Sequence, residues 1–230
     1  ANLVDAIFEA VSGITTTGST VFSELDKMPK GLLLWRGILQ WLGGIGIIVV
    51  AMVFLPELRV GGMQIFRAEG FDTLGKILPR ATTIAFQISI IYVGITIACG
   101  LAYVLAGMSF FDAVVHSFTT VATGGFSNYD GSFSVFSWQV EYVAILFMIL
   151  SALPFVRYVQ LINGQATAVF KDPQVKTFIF LICILVVLST LVLSLQLNLS
   201  FELVFRKALF NITSILTGTG YASTNYMLWG

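Results

Sequence analysis

Apolar residues gather along the chain into four long blocks, Leu32 to Leu55, Thr83 to Ala106, Trp138 to Val156 and Thr177 to Leu197, parted by stretches that carry most of the charge. Each block runs to about twenty residues, the length at which a helix covers the hydrocarbon core of a bilayer. Every backbone amide in lipid needs a partner within its own segment, so the blocks predict four membrane-spanning helices. Three shorter apolar runs, Ala6 to Ile14, Ala113 to Val121 and Ala208 to Leu216, cannot span, and each leads into Thr and Gly. A half-length apolar helix ending in a glycine-rich turn predicts a re-entrant segment, allowed at membrane depth only where protein buries it or it lines water.

Charge orients these elements. The connection from Pro56 to Arg80 carries Arg59, Arg67, Lys76 and Arg80, and that from Arg157 to Lys176 carries Arg157, Lys171 and Lys176. The positive-inside rule places both in the cytoplasm, which leaves all three short runs on the outer side, together with Lys27, Lys30, Arg206 and Lys207. The composition agrees with a lipid environment: 57% of the residues are hydrophobic and 10% charged, against about 25% charged in a soluble domain. Twelve Lys and Arg balance twelve Asp and Glu without a long basic run, so nucleic acid is not an expected partner. Cys99 and Cys183 show no metal or redox spacing and predict free thiols in core or lipid. The chain opens on Ala1-Asn2-Leu3-Val4-Asp5 with no signal-peptide pattern, the expectation for a piece of a longer protein.

The three outer runs repeat one another. Asp5-Ala6-Ile7-Phe8-Glu9-Ala10-Val11-Ser12-Gly13-Ile14-Thr15-Thr16-Thr17-Gly18 lies over Asp112-Ala113-Val114-Val115-His116-Ser117-Phe118-Thr119-Thr120-Val121-Ala122-Thr123-Gly124-Gly125, and a third copy runs from Phe210 to Tyr221. The aligned glycines Gly18, Gly125 and Gly220 stand roughly a hundred residues apart, a period that fits a unit of outer helix, re-entrant loop and second helix. The fold class expected is therefore an all-α membrane protein with helix–pore loop–helix units repeated around a central ion pore. The units divide as 1–56, a re-entrant loop and second helix; 57–82, a cytoplasmic linker; 83–157, a complete unit; 158–176, a second linker; and 177–230, a first helix and loop. On that division each end lacks at least one helix.

A dehydrated cation must exchange its water shell for oxygens of matched number and field strength, which potassium filters supply as rings of backbone carbonyls. Aiming successive carbonyls into one pore requires backbone conformations that glycine adopts without steric cost. Gly18, Gly125 and Gly220 meet that requirement three times, and the short helix before each directs its C-terminal, partly negative end at the loop.

The residues also resemble a family. Val11 to Thr20 (VSGITTTGST), Trp41 to Gly46 (WLGGIG), Val60 to Gln64 (VGGMQ), Thr119 to Ser127 (TTVATGGFS) and Ser214 to Thr224 (SILTGTGYAST) together are similar to the TrkH branch of the Trk/Ktr/HKT potassium transporters. The resemblance implies one chain with four helix–loop–helix units around a pore. It also implies a homodimer in the bacterial inner membrane, gated by a cytoplasmic TrkA-type nucleotide-binding ring. The ion expected is then potassium, with no organic cofactor in this chain. Carried over by position, the coordinating carbonyls belong to Thr16, Thr17, Thr123, Gly124, Gly218 and Thr219. The filter glycines and their flanks are Gly18, Ser19, Gly125, Phe126, Gly220 and Tyr221. Against the family pattern, the second helix of the third unit and the whole fourth unit are absent.

Other polar and aromatic residues carry weaker expectations. Glu9, His116 and Asn211 align, so one position of each short helix is polar, whether to bond the filter backbone or to satisfy a helix start. Arg36 and Glu141 near outer boundaries predict snorkelling side chains, Trp35, Trp41 and Trp138 an interfacial belt, and Gly43, Gly44 and Gly46 close helix packing. Two other functions compete with transport. An intramembrane hydrolase would need a nucleophile beside the single histidine, and no Gly-x-Ser-x-Gly pattern occurs, so no enzymatic activity is expected. A non-transporting receptor or assembly subunit would use the same scaffold without ion dependence.

Overall fold

The computed structural model describes residues 2–58, 81–165, 167–196, 199–226 and 229. The predicted linker 57–82, with the Val60 to Gln64 motif, lies almost wholly outside them. All regular structure among the described residues is helical. The main elements are α1 (Leu3–Ile14), α2 (Lys30–Leu58), α3 (Ala81–Leu105), α4 (Phe110–Val121), α5 (Trp138–Ala152), α6 (Phe155–Ile162), α7 (Ala168–Lys171), α8 (Pro173–Gln196) and α9 (Phe201–Leu216).

α3 and α8 are long and apolar enough to cross a bilayer. Both keep large side chains exposed: Phe86, Ile90, Ile97 and Leu101 on α3, and Phe180, Ile184, Val187, Leu191 and Leu195 on α8. Spacings of three, four and seven residues put each set on one helical face, which hydrocarbon and not water suits. Cys99 is buried on α3 and Cys183 exposed on α8, and both are free.

α5 stops at Ala152, short of the expected Val156. Leu153 turns extended, and α6 departs at 86° to α5. Pro154 lacks an amide donor and disfavours helical backbone at the residue before it, which accounts for the break. At the α6–α7–α8 corner, Arg157 Nε donates to Asp172 Oδ2 at 2.5 Å, and the Gln174 amide donates to Asp172 Oδ1 at 2.7 Å. Burial pushes the Asp172 carboxyl up, but these bonds outweigh it and hold the group below its ordinary value.

The short helices α1, α4 and α9 begin earlier than their apolar runs because polar N-caps start them. Asn2 forms a reciprocal capping box with Asp5, Ser109 accepts from the Asp112 amide, and Ser200 accepts from the Leu203 amide. The difference is largest for α9, which begins at Phe201 and not near Ala208. Its first turns carry Glu202, Arg206 and Lys207, which end the apolar run in sequence but are neutralised in the fold. At 12 residues, α1 and α4 rise about 18 Å, too little to span.

α4 lies among α2, α3 and α5; α1 packs on α2; and α9 packs on α5 and α8. The main core joins α3, α4 and α5 through Tyr92, Cys99, Tyr103, Ala113, Val121, Ala144 and Met148, and it takes in Phe133, Phe210 and Tyr221. Glycines bring α2 against the short helices. A Cβ on Gly43 would stand 2.1 Å from the Ile14 carbonyl oxygen, and one on Gly44 would stand 3.0 Å from Ala122 Cα, whereas Gly46 has open space. The packing expected of these glycines thus applies to Gly43 and Gly44. Gly43→Ala is expected to lower stability by about 1–3 kcal/mol through overpacking, while Gly46→Ala stays close to wild type, as thermal unfolding of the purified protein would check.

Candidate functional site

Each short helix ends in the same turn. In the first, the Ser12 carbonyl accepts from the amides of Thr17 at 3.0 Å and Gly18 at 3.5 Å. In the second, Thr119 accepts from Gly124 at 2.9 Å and Gly125 at 3.4 Å. In the third, Ser214 accepts from Thr219 at 2.9 Å and Gly220 at 3.3 Å. The amides of Thr16, Thr123 and Gly218 return to Gly13, Thr120 and Ile215 at 3.0 to 3.1 Å. The conformations match as well. Thr16, Thr123 and Gly218 have φ of 56°, 48° and 75°, and Gly18, Gly125 and Gly220 have φ of 77°, 75° and 85°, with Thr17, Gly124 and Thr219 between them outside the left-handed region. A left-handed threonine costs about 1–2 kcal/mol, so two of them at equivalent positions mark a conformation imposed by the surrounding bonds.

The three turns touch in chain order. A Cβ on Gly18 would stand 1.9 Å from the Gly124 carbonyl oxygen, and one on Gly125 would stand 1.9 Å from the Thr219 carbonyl oxygen. Each glycine therefore leans on the carbonyl just before the next glycine. The side of Gly220 is open, and Thr17 and Gly218 are exposed, whereas Gly124 and Thr219 are buried.

The flanking residues divide. Ser19 is exposed and its carbonyl accepts from Ser12 Oγ at 2.6 Å. Phe126 and Tyr221 are buried and fasten their loops to the preceding repeat. Phe126 lies at Gly13 of α1, and the Tyr221 hydroxyl meets Thr119 Oγ1 at 2.5 Å and Thr120 Oγ1 at 3.1 Å on α4.

The aligned polar positions grip the limb of chain leaving each turn. Glu9 Oε1 accepts from the amides of Val21 at 2.9 Å and Phe22 at 3.1 Å and from the Thr20 hydroxyl. His116 donates from Nδ1 to the Asp112 carbonyl at 2.8 Å, which leaves Nε2 to accept from Ser127 Oγ at 3.1 Å. Asn211 accepts from the Ser223 amide at 3.2 Å and donates to Ser223 Oγ at 3.0 Å. The Ser127–His116 pair is thus a structural tie: both side chains are buried, and the second ring nitrogen is spent on a main-chain carbonyl.

Two charged residues depart from the expected snorkelling. Arg36 is 3% exposed: Nε donates to Glu9 Oε2 at 3.3 Å, Nη1 to the Ser127 carbonyl at 3.1 Å and Nη2 to Thr20 Oγ1 at 3.2 Å, with the guanidinium 4.1 Å from the Phe126 ring centre. Glu141, at 1%, accepts from Arg206 and Lys207 at 2.6 Å each, and Lys207 also donates to the Ser223 carbonyl at 2.8 Å. Arg36 pairs with Glu9 of its own repeat and reaches Ser127 of the second, and Glu141 pairs across to the third, so burial with a counter-charge replaces exposure to headgroups. Trp41 likewise packs inward, its Nε1 donating to Thr96 Oγ1 at 3.0 Å, while Trp35 and Trp138 are exposed as expected. Among the described residues, no group of three or more His, Cys, Asp and Glu is placed to hold a metal ion.

Residues 1–227 match a family model described as TrkH, cation transport protein. The chain belongs to this TrkH family. It is 44% identical over 231 residues to the Trk system potassium uptake protein TrkI of Halomonas elongata, covering 100% of this chain and 47% of that protein. It is 40% identical over 232 residues to TrkH of Escherichia coli K12, covering 99% and 48%. The crystal structure of the potassium transporter TrkH from Vibrio parahaemolyticus superimposes with a TM-score of 0.85 at 37% identity, over 98% of this chain and 46% of that one. The chain thus spans about half the length of the TrkH and TrkI relatives it matches. The TrkH family is one of membrane cation transporters, not of enzymes, and this chain is a helical, multi-pass member of it.

One group the sequence reading passed over is Gln40, whose side chain is wholly buried and bonded to the second turn. A signal for it existed. Arg36, Gln40, Gly43 and Gly44 recur at helical spacing along α2, placing polar and small residues on one face of a largely apolar helix.

Proposed function

We propose that the intact protein carries potassium across the bacterial inner membrane through a filter of backbone carbonyls, as part of a Trk system. One observation carries the reading: three turns of identical hydrogen bonding and backbone conformation pack glycine against carbonyl in sequence. Main-chain oxygens gathered in this way, at the partly negative ends of three helices, suit a dehydrated monovalent cation. The ligands in this reading are the carbonyls of Thr16, Thr17, Thr123, Gly124, Gly218 and Thr219. The open side of Gly220 and the exposed Thr17 are where a fourth turn would complete the ring.

The names of the Trk relatives supply the ion. The division at 56, 82, 157 and 176, the homodimer, the TrkA-type ring and potassium with no organic cofactor belong to the same proposal. Purified intact protein in sealed vesicles is expected to take up potassium in preference to sodium. Potassium at a hundred times its dissociation constant should also stabilise the protein against unfolding by about 2.7 kcal/mol. A protein that passes neither ion and melts identically in both salts would instead be a receptor or assembly subunit.

A further inference from the structure

Gln40 sits on α2 in the first repeat, yet both ends of its amide are spent on the second. Nε2 donates to the Gly124 carbonyl at 2.6 Å, and Oε1 accepts from the Phe126 amide at 3.0 Å. A carbonyl only accepts and a peptide N–H only donates, so the two bonds fix which end of the amide is which. They close on the peptide groups either side of Gly125. That residue has φ of 75° and, as glycine, the widest backbone freedom of any residue. With both flanking peptides held, the Gly125 backbone has little room to rotate.

The Gly124 carbonyl retains a second lone pair, so the bond from Gln40 orients this oxygen without consuming it. Its neighbour on the other side is Gly18, where a Cβ would stand 1.9 Å away, so the oxygen lies at the junction of two turns. No equivalent grip exists on the third turn among the described residues. α5 packs on α9 as α2 packs on α4, but offers the apolar Ala144, Ile145 and Met148. A buried amide in an apolar helix costs free energy unless its bonds are made, which makes Gln40 an expensive choice for packing alone.

We propose that Gln40 is a positioning residue of the filter, holding the peptides on both sides of Gly125 so that the carbonyls of the second turn keep the geometry that distinguishes potassium from sodium. The inference rests on the potassium reading above and concerns one side chain within it.

The test uses the intact protein in sealed vesicles, with apparent KM for potassium and the potassium-to-sodium uptake ratio measured at equal amounts of inserted protein. Gln40→Leu keeps the volume and removes both bonds. It is expected to raise KM and lower the ratio by about tenfold each, the scale of one net hydrogen bond. Gln40→Glu retains an acceptor for Phe126 but faces the Gly124 carbonyl with a second acceptor, and is expected to lose selectivity at least as far. Gln40→Asn, one methylene shorter, keeps polarity but cannot reach both peptides, and decides the matter should the leucine variant fail to insert. Wild-type KM and ratio in whichever variants insert, even with lowered melting temperature, would reduce Gln40 to a packing residue and overturn the inference. Failure of the wild-type protein to favour potassium would instead overturn the reading beneath it.

Discussion

Replacing Gly125 by serine in the intact protein is expected to lower its preference for potassium over sodium by tenfold or more. Two costs coincide at this residue. Its φ of 75° is left-handed, which costs a side-chain-bearing residue about 1–2 kcal/mol. The new Cβ would also stand 1.9 Å from the Thr219 carbonyl oxygen, far inside contact distance, so that carbonyl must swing away. Gly18→Ser meets the same pair of costs against the Gly124 carbonyl. Among the described residues Gly220→Ser meets only the backbone cost, so an equally severe effect there would locate a further turn against its open side. Competitive uptake of the two ions by the three variants is the measurement, and selectivity unchanged in all of them would remove the filter from these turns.

The second large effect concerns stability. Glu9→Leu is expected to cost about 3–5 kcal/mol, the range for breaking a buried ion pair from one side. The substitution strands the Arg36 guanidinium at 3% exposure and deprives the Val21 and Phe22 amides and the Thr20 hydroxyl of their acceptor. Glu9→Gln keeps a carbonyl oxygen for those donors and should lose about 1–3 kcal/mol. Adding Arg36→Met to Glu9→Leu should recover part of the loss, because no unpaired charge then remains buried. Denaturation of the purified protein, read as a double-mutant cycle, checks all three. Additive effects would show that the pair does not act as a unit.

The spans and turns were legible because each rests on a local pattern: an apolar run of bilayer length, or a Thr/Gly signature present three times. What stayed hidden depends on partners far away in sequence. Arg36 finds Glu9 and Ser127, and Glu141 finds Arg206 and Lys207, so hydropathy alone assigned both to the surface. The start of α9 was missed for the same reason. Its charged first turns interrupt the apolar run, and only the fold shows the Glu141 carboxylate that pairs with Arg206 and Lys207 there. The break at Pro154 is different: the proline was in plain view, but an apolar window counts residues and not amide donors. Gln40 was hidden because nothing near it in the chain says what its amide bonds.

The second and third turns are fastened across the boundary between repeats as well as within their own. Phe126 sits at α1, Tyr221 is tied to α4, and Gln40 of the first repeat holds the second turn. Sequence periodicity and mechanical integrity therefore follow different seams in this molecule. A whole repeat exchanged as a cassette with a relative would carry over one half of each joint and leave the other behind. Chimeras cut so that a turn travels with the helix behind it should be the ones that survive.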